Sequence, residues 1–322
     1  MSARKRESIE RSPASDSKMT YTEFLRRFPD NDACLEYLKA KFYPDGTPCP
    51  KCGRESRFHR IKGRSAYSCQ FCGAHMYPTA GTIFHKSTTS LQLWFWAIYL
   101  LSSSRCGISA KQLGREIGVT YKTAHRMLKQ IRSLLGQDNE PPLSGDVEVD
   151  ETFMSGRLRE SERKQRERDG IHPNTPPYMT KGKGKMVVAA VERGGRVRAG
   201  VASDRMKPTL HAKIKEFVLP ESMIFTDEWA LYSGIEREYK AHKRVKHKAR
   251  VYVEGDAGTQ NVESFFALFK NSVRGAHHNV SAKYLPNYLD EYVLRWNYRK
   301  DGAGVIFWEI LDRARKASLA AS

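Results

Sequence analysis

The sequence has few acidic residues for its length, with 36 Asp and Glu against 55 Lys and Arg among 322 residues. The formal net charge is therefore +19 at pH 7. A positive excess of this size favours a polyanionic partner, with nucleic acid as the first candidate. Charge alone also leaves a ribosome-associated or membrane-surface protein open, so the motifs have to decide.

The sequence also lacks a hydrophobic run that would cross a bilayer. Its most apolar stretch covers residues 91–101, which is shorter than the ~20 residues that a membrane-spanning helix needs. No apolar region follows the charged N-terminal residues, so a secretion signal is not expected. Hydrophobic residues make up 40% of the chain, which is sufficient for the cores of two or three globular domains.

Cysteine is scarce and unevenly placed, since two of the six residues, Cys34 and Cys106, stand alone. The other four form two Cys-x-x-Cys pairs with sixteen residues between the pairs, namely Cys49, Cys52, Cys69 and Cys72. Two such pairs favour one structural zinc ion, because four thiolates leave no coordination position for a substrate. We therefore predict a zinc ribbon in a reducing compartment, with four unligated thiols as the alternative.

The N-terminal part of the chain divides into three segments by composition. Residues 1–18 are polar and charged and are predicted to be a disordered leader. Residues 19–86 are predicted to hold a short helical segment, with apolar residues at three- and four-residue intervals, followed by the zinc ribbon. Cys34 lies on the apolar side of that segment and is expected to be a small buried hydrophobe.

Residues 87–136 are predicted to form a helix-turn-helix DNA-binding domain. A helix over residues 110–117 is followed by a break at Gly118 and by a second helix over residues 121–135. The second helix has a polar, basic face that is suited to phosphates or base edges in a major groove. We predict DNA contacts from Tyr121, Lys122, Thr123, His125, Arg126 and Lys129. The alternative is an ordinary helical hairpin with a solvated charged face.

The polar, proline-bearing segment 137–145 is predicted to be a linker. Beyond it, residues 146–312 give three antiparallel strands, a helix, a further strand, a basic extended segment and a long amphipathic helix, with a tail at 313–322. This order predicts an α/β fold, an RNase H-like mixed sheet flanked by helices. A basic insert at 157–185 interrupts it and is either an arm that contacts DNA or a solvated loop.

Three acidic residues fall at the places where such a fold brings its chain segments together. Asp150 lies on the first strand, Asp227 ends the strand beside it, and Glu263 lies on the long helix. Three converging carboxylates repel one another, so divalent cations are expected, with Mg²⁺ suited to the hard oxygen ligands and Mn²⁺ able to substitute. Two such ions support in-line displacement at phosphorus.

Other polar residues near these acids are candidates for supporting roles. Lys270 lies two helical turns after Glu263 and is placed to hold a phosphate, the alternative being a solvated helix lysine. His247 lies in the basic segment before the helix and is either a phosphate-orienting residue or a surface histidine. Gln260 and Asn261 either hydrogen-bond DNA or a metal-bound water, or they only cap the helix.

The ordered motifs resemble the bacterial insertion-sequence transposases with an N-terminal zinc ribbon, the ISXO-like group. The resemblance is carried by CPKCG…CQFCG, VDETF, KGKGK…VERGG, TDEWALY and NVESFFALFK, and it covers residues 21–299. It implies a DDE transposase whose acids are Asp150, Asp227 and Glu263, with Lys270 beside the phosphate. The family often has Asn three residues before the Glu, where this chain has Gln260.

The resemblance implies an enzyme that binds the terminal inverted repeats of its element, cleaves there and joins 3′ ends to target double-stranded DNA. We expect a homo-oligomer on DNA, without membrane association, in the cytoplasm and on the nucleoid when bound. Two other interpretations stay open at this point. One is a DNA-binding regulator that has lost or repurposed its catalysis, and the other is a nuclease or resolvase on the same fold.

Overall fold

The computed structural model describes residues 19–137, 140–155, 164–165, 167–171, 184–245 and 258–314. His247, the predicted leader and most of the basic insert lie outside the described residues. Packing divides the chain into two compact units. One unit is formed by the chain up to Ser104 together with the chain from Tyr298 onward, and the other is Arg105–Asn297.

The first unit combines helices with a small three-stranded sheet. Its helices are α1 (Tyr21–Arg27), α2 (Asn31–Phe42), α3 (Leu91–Ser103) and α9 (Ala303–Arg313). Its strands are β1 (Phe58–Arg60), β2 (Tyr67–Cys69) and β3 (His75–Met76), which pair antiparallel in that order. Among the described residues, none of the helices is long and apolar enough to cross a lipid bilayer.

Aromatic packing holds the helices of the first unit together. Phe28 contacts the rings of Phe95 on α3 and Phe307 on α9, with ring centres 4.8 Å and 6.0 Å apart. Phe24 stacks on Tyr99 of α3 at 5.0 Å. Such aromatic pairs stabilise a core beyond the area that they bury. The apolar stretch predicted at 91–101 is therefore the buried centre of this helical unit.

The second unit contains a helix pair and a larger sheet. Its helices are α4 (Ala110–Ile117), α5 (Tyr121–Arg132), α6 (Lys207–Phe217), α7 (Gln260–Ser272) and α8 (Leu285–Asn297). Its strands are β4 (Asp146–Ser155), β5 (Gly184–Glu192), β6 (Val197–Val201), β7 (Met223–Thr226) and β8 (Ala241–Arg244).

The larger sheet has the strand order β6-β5-β4-β7-β8. Strands β4, β5 and β6 pair antiparallel, whereas β7 runs parallel to β4 and β8 runs parallel to β7. The predicted α/β class with a mixed sheet flanked by helices is confirmed. The strand order is consistent with an RNase H-like transposase fold.

Alternation of side chains along β4 directs one set of residues to each face of this sheet. Val147 and Val149 pack on one face in a core that includes Leu210 and Ile214 of α6. The opposite core, formed mainly by β5, β6, α7 and α8, includes Val187 and Phe265. Because Glu148 and Asp150 alternate with the two valines, they lie on the face covered by α7.

The packing units divide the chain at places that differ from the predicted boundaries. Helices α4 and α5 belong to the unit that contains the large sheet, and α9 belongs to the first unit. The physical reason for the second difference is the aromatic contact of Phe307 with the N-terminal helices. The boundaries of functional domains stay predictions, because packing alone does not define a DNA-binding module.

A buried ion cluster joins α5 to α8 within the second unit. Arg132 Nε donates to Glu291 at 2.6 Å, and Arg295 donates to the same carboxylate at 2.8 Å. Burial raises the pKa of Glu291, but the two guanidinium groups outweigh it and hold that pKa at about 2. The carboxylate therefore stays ionised at neutral pH and compensates charges that water does not reach.

We predict that Glu291→Ala lowers the free energy of unfolding by about 3–5 kcal/mol, because it leaves two buried guanidinium groups without their carboxylate. The depressed pKa means that the stabilisation is complete above the ordinary Glu pKa of about 4.3 and is lost as the pH falls toward 2. Urea unfolding at several pH values measures both effects. Glu216→Ala, which breaks the more exposed pair with Lys213, should cost less than about 1 kcal/mol.

Candidate active site and metal centres

The four paired cysteines meet at one point of the small sheet. Their sulfur atoms all lie within 4.8 Å of one another, with Cys49 Sγ 3.7 Å from Cys72 Sγ and Cys52 Sγ 3.9 Å from Cys69 Sγ. This donor set fits a tetrahedral zinc ion with thiolate ligands. The geometry supports the predicted structural zinc ion.

Backbone geometry prepares both cysteine pairs for a metal. Gly53 and Gly73 follow the pairs with φ angles of 69° and 65°, in the left-handed region that favours glycine. Their amides donate to the carbonyl oxygens of Cys49 and Cys69 and close a tight turn around each pair. The Ser56 hydroxyl lies 3.1 Å from Cys69 Sγ and lowers the pKa of that thiol to about 6, which favours the thiolate that zinc needs.

The register of β4 against β7, extended by two residues, aligns Asp150 with Asp227. In the parallel pair β4–β7, Val147 faces Ile224 and Glu148 faces Phe225, so the same offset of 77 positions aligns Asp150 with Asp227. Asp150 lies within β4, and Asp227 comes directly after the last residue of β7. The Asp227 carboxylate accepts a hydrogen bond from the Trp229 amide at 2.9 Å, which fixes its orientation.

Helix α7 carries Glu263 in its first turn and Lys270 in its last turn. The seven-residue spacing places the two on one side of the helix, about 10 Å apart along its axis. Glu263 is exposed and accepts a hydrogen bond from the Thr259 hydroxyl at 3.0 Å. Burial lowers the pKa of Lys270, and the negative charge of Asp150 opposes that change.

The pKa of Asp150 depends on the charges of the other three residues. Burial is the largest of several causes that together raise the pKa of Asp150 to about 7, with the charges of Asp227 and Glu263 acting in the same direction and Lys270 against them. A carboxyl group responds to neighbouring charges in this way when they share its low-dielectric surroundings. The charges of these residues therefore act on Asp150, and their assignment to one catalytic site stays a prediction.

The donor set formed by these carboxylates fits hard divalent cations, because it offers oxygen ligands only. Within the described part of the chain, the cysteines alone bring three or more ligand atoms within 4.8 Å of one another. The carboxylates are therefore spread more widely than ligands of a single ion. A wider spread is compatible with a pair of ions about 3.5–4 Å apart.

Glu151 lies beside Asp150 in the sequence but faces the other side of the sheet. Its carboxylate accepts a hydrogen bond from the Tyr232 hydroxyl, and Tyr232 belongs to the core that packs against α6. Burial raises the pKa of Glu151 to about 8. This residue is therefore part of the support beneath the site, on the face that strand alternation predicts.

Glu148 is a residue whose role the sequence did not reveal. It is 2% exposed, and its carboxylate accepts hydrogen bonds from the backbone amides of Asn261 and Val262 at 2.7 and 3.3 Å. Arg193 Nε also donates to it, at 3.2 Å. Glu148 therefore caps the N-terminus of α7, which has no side-chain cap from Thr259. Its position between two buried valines was the available signal.

The accessory candidates have separate surroundings. The Asn261 side-chain amide donates to Glu148 at 2.9 Å, so it contributes to the capping arrangement. Gln260 is exposed at the first position of α7. The proposed roles of both residues in contacts with DNA or water stay predictions.

Helices α4 and α5 are joined by a tight turn, as the sequence predicted. Gly118 ends α4 with a φ angle of 69°, and Thr120 caps α5. The predicted DNA-binding residues differ in exposure. Exposed side chains are Tyr121, Lys122, Arg126 and Lys129, whereas Thr123 and His125 are half-buried. The Thr123 hydroxyl lies 3.1 Å from that of Thr120 and belongs to the cap.

Comparison with known proteins agrees with this geometry. Residues 142–297 match the ISXO2-like transposase domain, and residues 29–75 match a transposase zinc-ribbon domain. The two matched domains thus identify an insertion-sequence transposase. In particular, the chain belongs to the ISXO2-like transposases with an N-terminal zinc ribbon.

One curated relative is an uncharacterized protein in the transposable element ISH50 of Halobacterium salinarum. It is 27% identical to this chain over 283 residues, which cover 86% of this chain and 95% of the relative. The similarity therefore extends over nearly the whole of both chains.

We predict that the purified protein contains about one zinc ion per chain and that Cys52→Ser loses most of it, because the site then lacks one thiolate. Metal analysis by mass spectrometry measures the content, and limited proteolysis reports unfolding of the ribbon. Cys106→Ser, at an exposed cysteine outside the cluster, is the control and should retain zinc. Equal zinc content in both variants would contradict the assignment.

We predict that Glu148→Gln lowers the free energy of unfolding by about 1–3 kcal/mol, because it removes a buried charge that caps α7 and pairs with Arg193. Hydrogen exchange should accelerate at the Asn261 and Val262 amides more than in β5. Glu221→Gln, at an exposed position, is the control and should change neither quantity. Unaltered exchange at the start of α7 would show that Glu148 is not its cap.

Proposed function

We propose that this transposase binds the terminal inverted repeats of its insertion sequence, cleaves the strands there and joins the 3′ ends to target DNA. The observation that carries the proposal is the in-register placement of Asp150 and Asp227, with Glu263 and Lys270 in the same electrostatic surroundings. Carboxylates from two strands and a helix are the donor set that two-metal phosphoryl transfer uses.

Two Mg²⁺ ions would be held by Asp150, Asp227 and Glu263. Mn²⁺ would substitute for them in an experiment. When bound, the ions would supply activation of the attacking hydroxyl and neutralisation of the charge on the leaving oxygen. Lys270 binds and orients the DNA phosphate beside the carboxylates, since the charge of Asp150 acts on its half-buried amine and opposes the lowering of its pKa by burial. No covalent bond between protein and DNA is required.

The basic face of α5 positions the DNA in this proposal. Lys122, Arg126 and Lys129 supply phosphate contacts, and Tyr121, which is 61% exposed, reaches toward base edges. Thr123 and His125 complete the predicted surface. The net charge of +19 supports a polyanionic partner over the whole chain. Synapsis of two element ends gives the reason to propose a homo-oligomer on DNA.

We predict that wild-type protein joins DNA carrying the element ends to a target in the presence of Mg²⁺, and that Asp227→Asn lowers the rate at least ~100-fold. The charge of Asp227 is needed to hold the cation, whereas its size is preserved in the variant. Gel analysis of joined products measures the rate. Glu228→Gln is the matched control, because Glu228 is the adjacent, exposed acid.

The same assay separates the proposed function from its alternatives. Joining at the wild-type rate by Asp227→Asn, or in excess chelator, would overturn the assignment of the acids. Cleavage without joining would instead favour a nuclease or resolvase. DNA binding without either reaction would favour a regulator.

A further inference from the structure

A cleft between α5 and α8 contains cationic and aromatic side chains outside the carboxylate site. Both helices belong to the second unit. The cleft is lined by His125, Lys129, Arg132, Tyr284, Asn287 and Tyr288. Among the residues that the structure describes, no acidic one lines it. It lies beside the exposed basic face of α5 and faces the segment that leads into α8.

Two lysine side chains, one lining the cleft and one next to it, lie near the ring of Tyr284. Lys129 Nζ lies 5.5 Å from the centre of the Tyr284 ring, and Lys283 Nζ lies 5.7 Å from the same ring. Among the described residues, neither ammonium group has an ion-pair partner. A cation held by a ring is oriented while its N–H donors stay available, whereas a carboxylate partner would occupy them.

The floor of the cleft contains the guanidinium group of Arg132. Arg132 lies with its guanidinium carbon 4.0 Å from the Tyr288 ring centre and donates to Glu291. Arg295 donates to the same carboxylate, so two guanidinium groups share one negative charge. Their charges lie beneath the cleft, in surroundings where electrostatic interactions are strong.

These features fit a phosphate better than a nucleobase. Cations already face the rings of Tyr284 and Tyr288, so the rings offer little free surface for stacking a base. The remaining groups are donors, because Lys129 and Lys283 supply ammonium N–H groups and Asn287 supplies an amide. Clusters of such donors bind phosphate oxygens.

We propose that this cleft binds a phosphodiester of the duplex DNA on which α5 docks. The DNA-contacting surface then extends beyond the helix pair to Lys283, Tyr284 and Asn287, at the start of α8. The inference rests on the proposed function for its choice of DNA as the partner. It adds a defined contact that fixes the position of DNA bound by α5 relative to α8.

The test is the salt dependence of binding to a random-sequence duplex, measured by fluorescence anisotropy with the full chain. Lys129→Gln combined with Lys283→Gln should weaken binding and reduce the slope of log K against log salt by roughly 1, as expected for one lost phosphate contact. Melting temperature establishes that the variant is folded. Asn287→Asp, which adds a negative charge in the cleft, should weaken binding as well.

The control removes the same net charge elsewhere in the unit. Lys213 and Lys215 lie on α6 and are ion-paired with Glu216 and Glu238, and Lys213 also lies 5.7 Å from the Phe217 ring. Lys213→Gln combined with Lys215→Gln should leave the slope unchanged.

Three outcomes would overturn the inference, and they differ in what they say about the proposed function. Equal slopes for the wild type and the cleft variant would exclude the phosphate contact, while DNA joining by the wild type would leave the proposed function intact. An equal decrease of the slope in the two double variants would show that the effect comes from the loss of net charge and not from the cleft. Absence of duplex binding by the wild type would remove both proposals.

Discussion

The hydrogen bonds that the Glu148 carboxylate accepts are the interaction on which the arrangement of the proposed catalytic acids depends. Glu148 lies two residues before Asp150 on β4. Its carboxylate accepts hydrogen bonds from amides in the first turn of α7, the helix that carries Glu263. One strand therefore supplies an acid of the site and the anchor for the helix that brings another. Because α7 has no side-chain cap from Thr259, whose hydroxyl donates to Glu263 instead, the separation of the two acids depends on this contact.

Arg193 connects Glu148 to the strand that precedes Asp227. Its guanidinium group pairs with Glu148, donates to the Gly258 carbonyl at 3.2 Å and lies 3.9 Å from the Phe225 ring centre. Phe225 lies on β7, two residues before Asp227. Strand β4, strand β7 and the start of α7 thus meet around one buried ion pair. A buried pair of this kind contributes position more than stability, because desolvation offsets much of its attraction.

The sequence predicted those parts of the structure that local pattern encodes. Cysteine spacing identified the metal cluster, and alternation along β4 assigned Asp150 and Glu151 to opposite faces. Contacts between distant segments were not accessible in this way. Glu148 meets Asn261 across 113 positions and Arg132 meets Glu291 across 159, and no periodicity in either segment identifies its partner. The packing of Phe307 against N-terminal rings is a third such contact.

The three acids of the VEVDETF motif show how surroundings separate residues of similar chemistry. Glu148 is saturated by backbone amides, the Asn261 side chain and Arg193, so its oxygens are not available to a cation. Glu151 faces the core beside Tyr232, where burial raises its pKa to about 8. The pKa of Asp150 responds to the charges of both Asp227 and Glu263. With its pKa raised to about 7, it is the carboxyl group whose ionisation a nearby cation would favour most. Position along one strand thus separates their roles. Glu148 supports α7, Glu151 lies in the core, and Asp150 belongs to the proposed site.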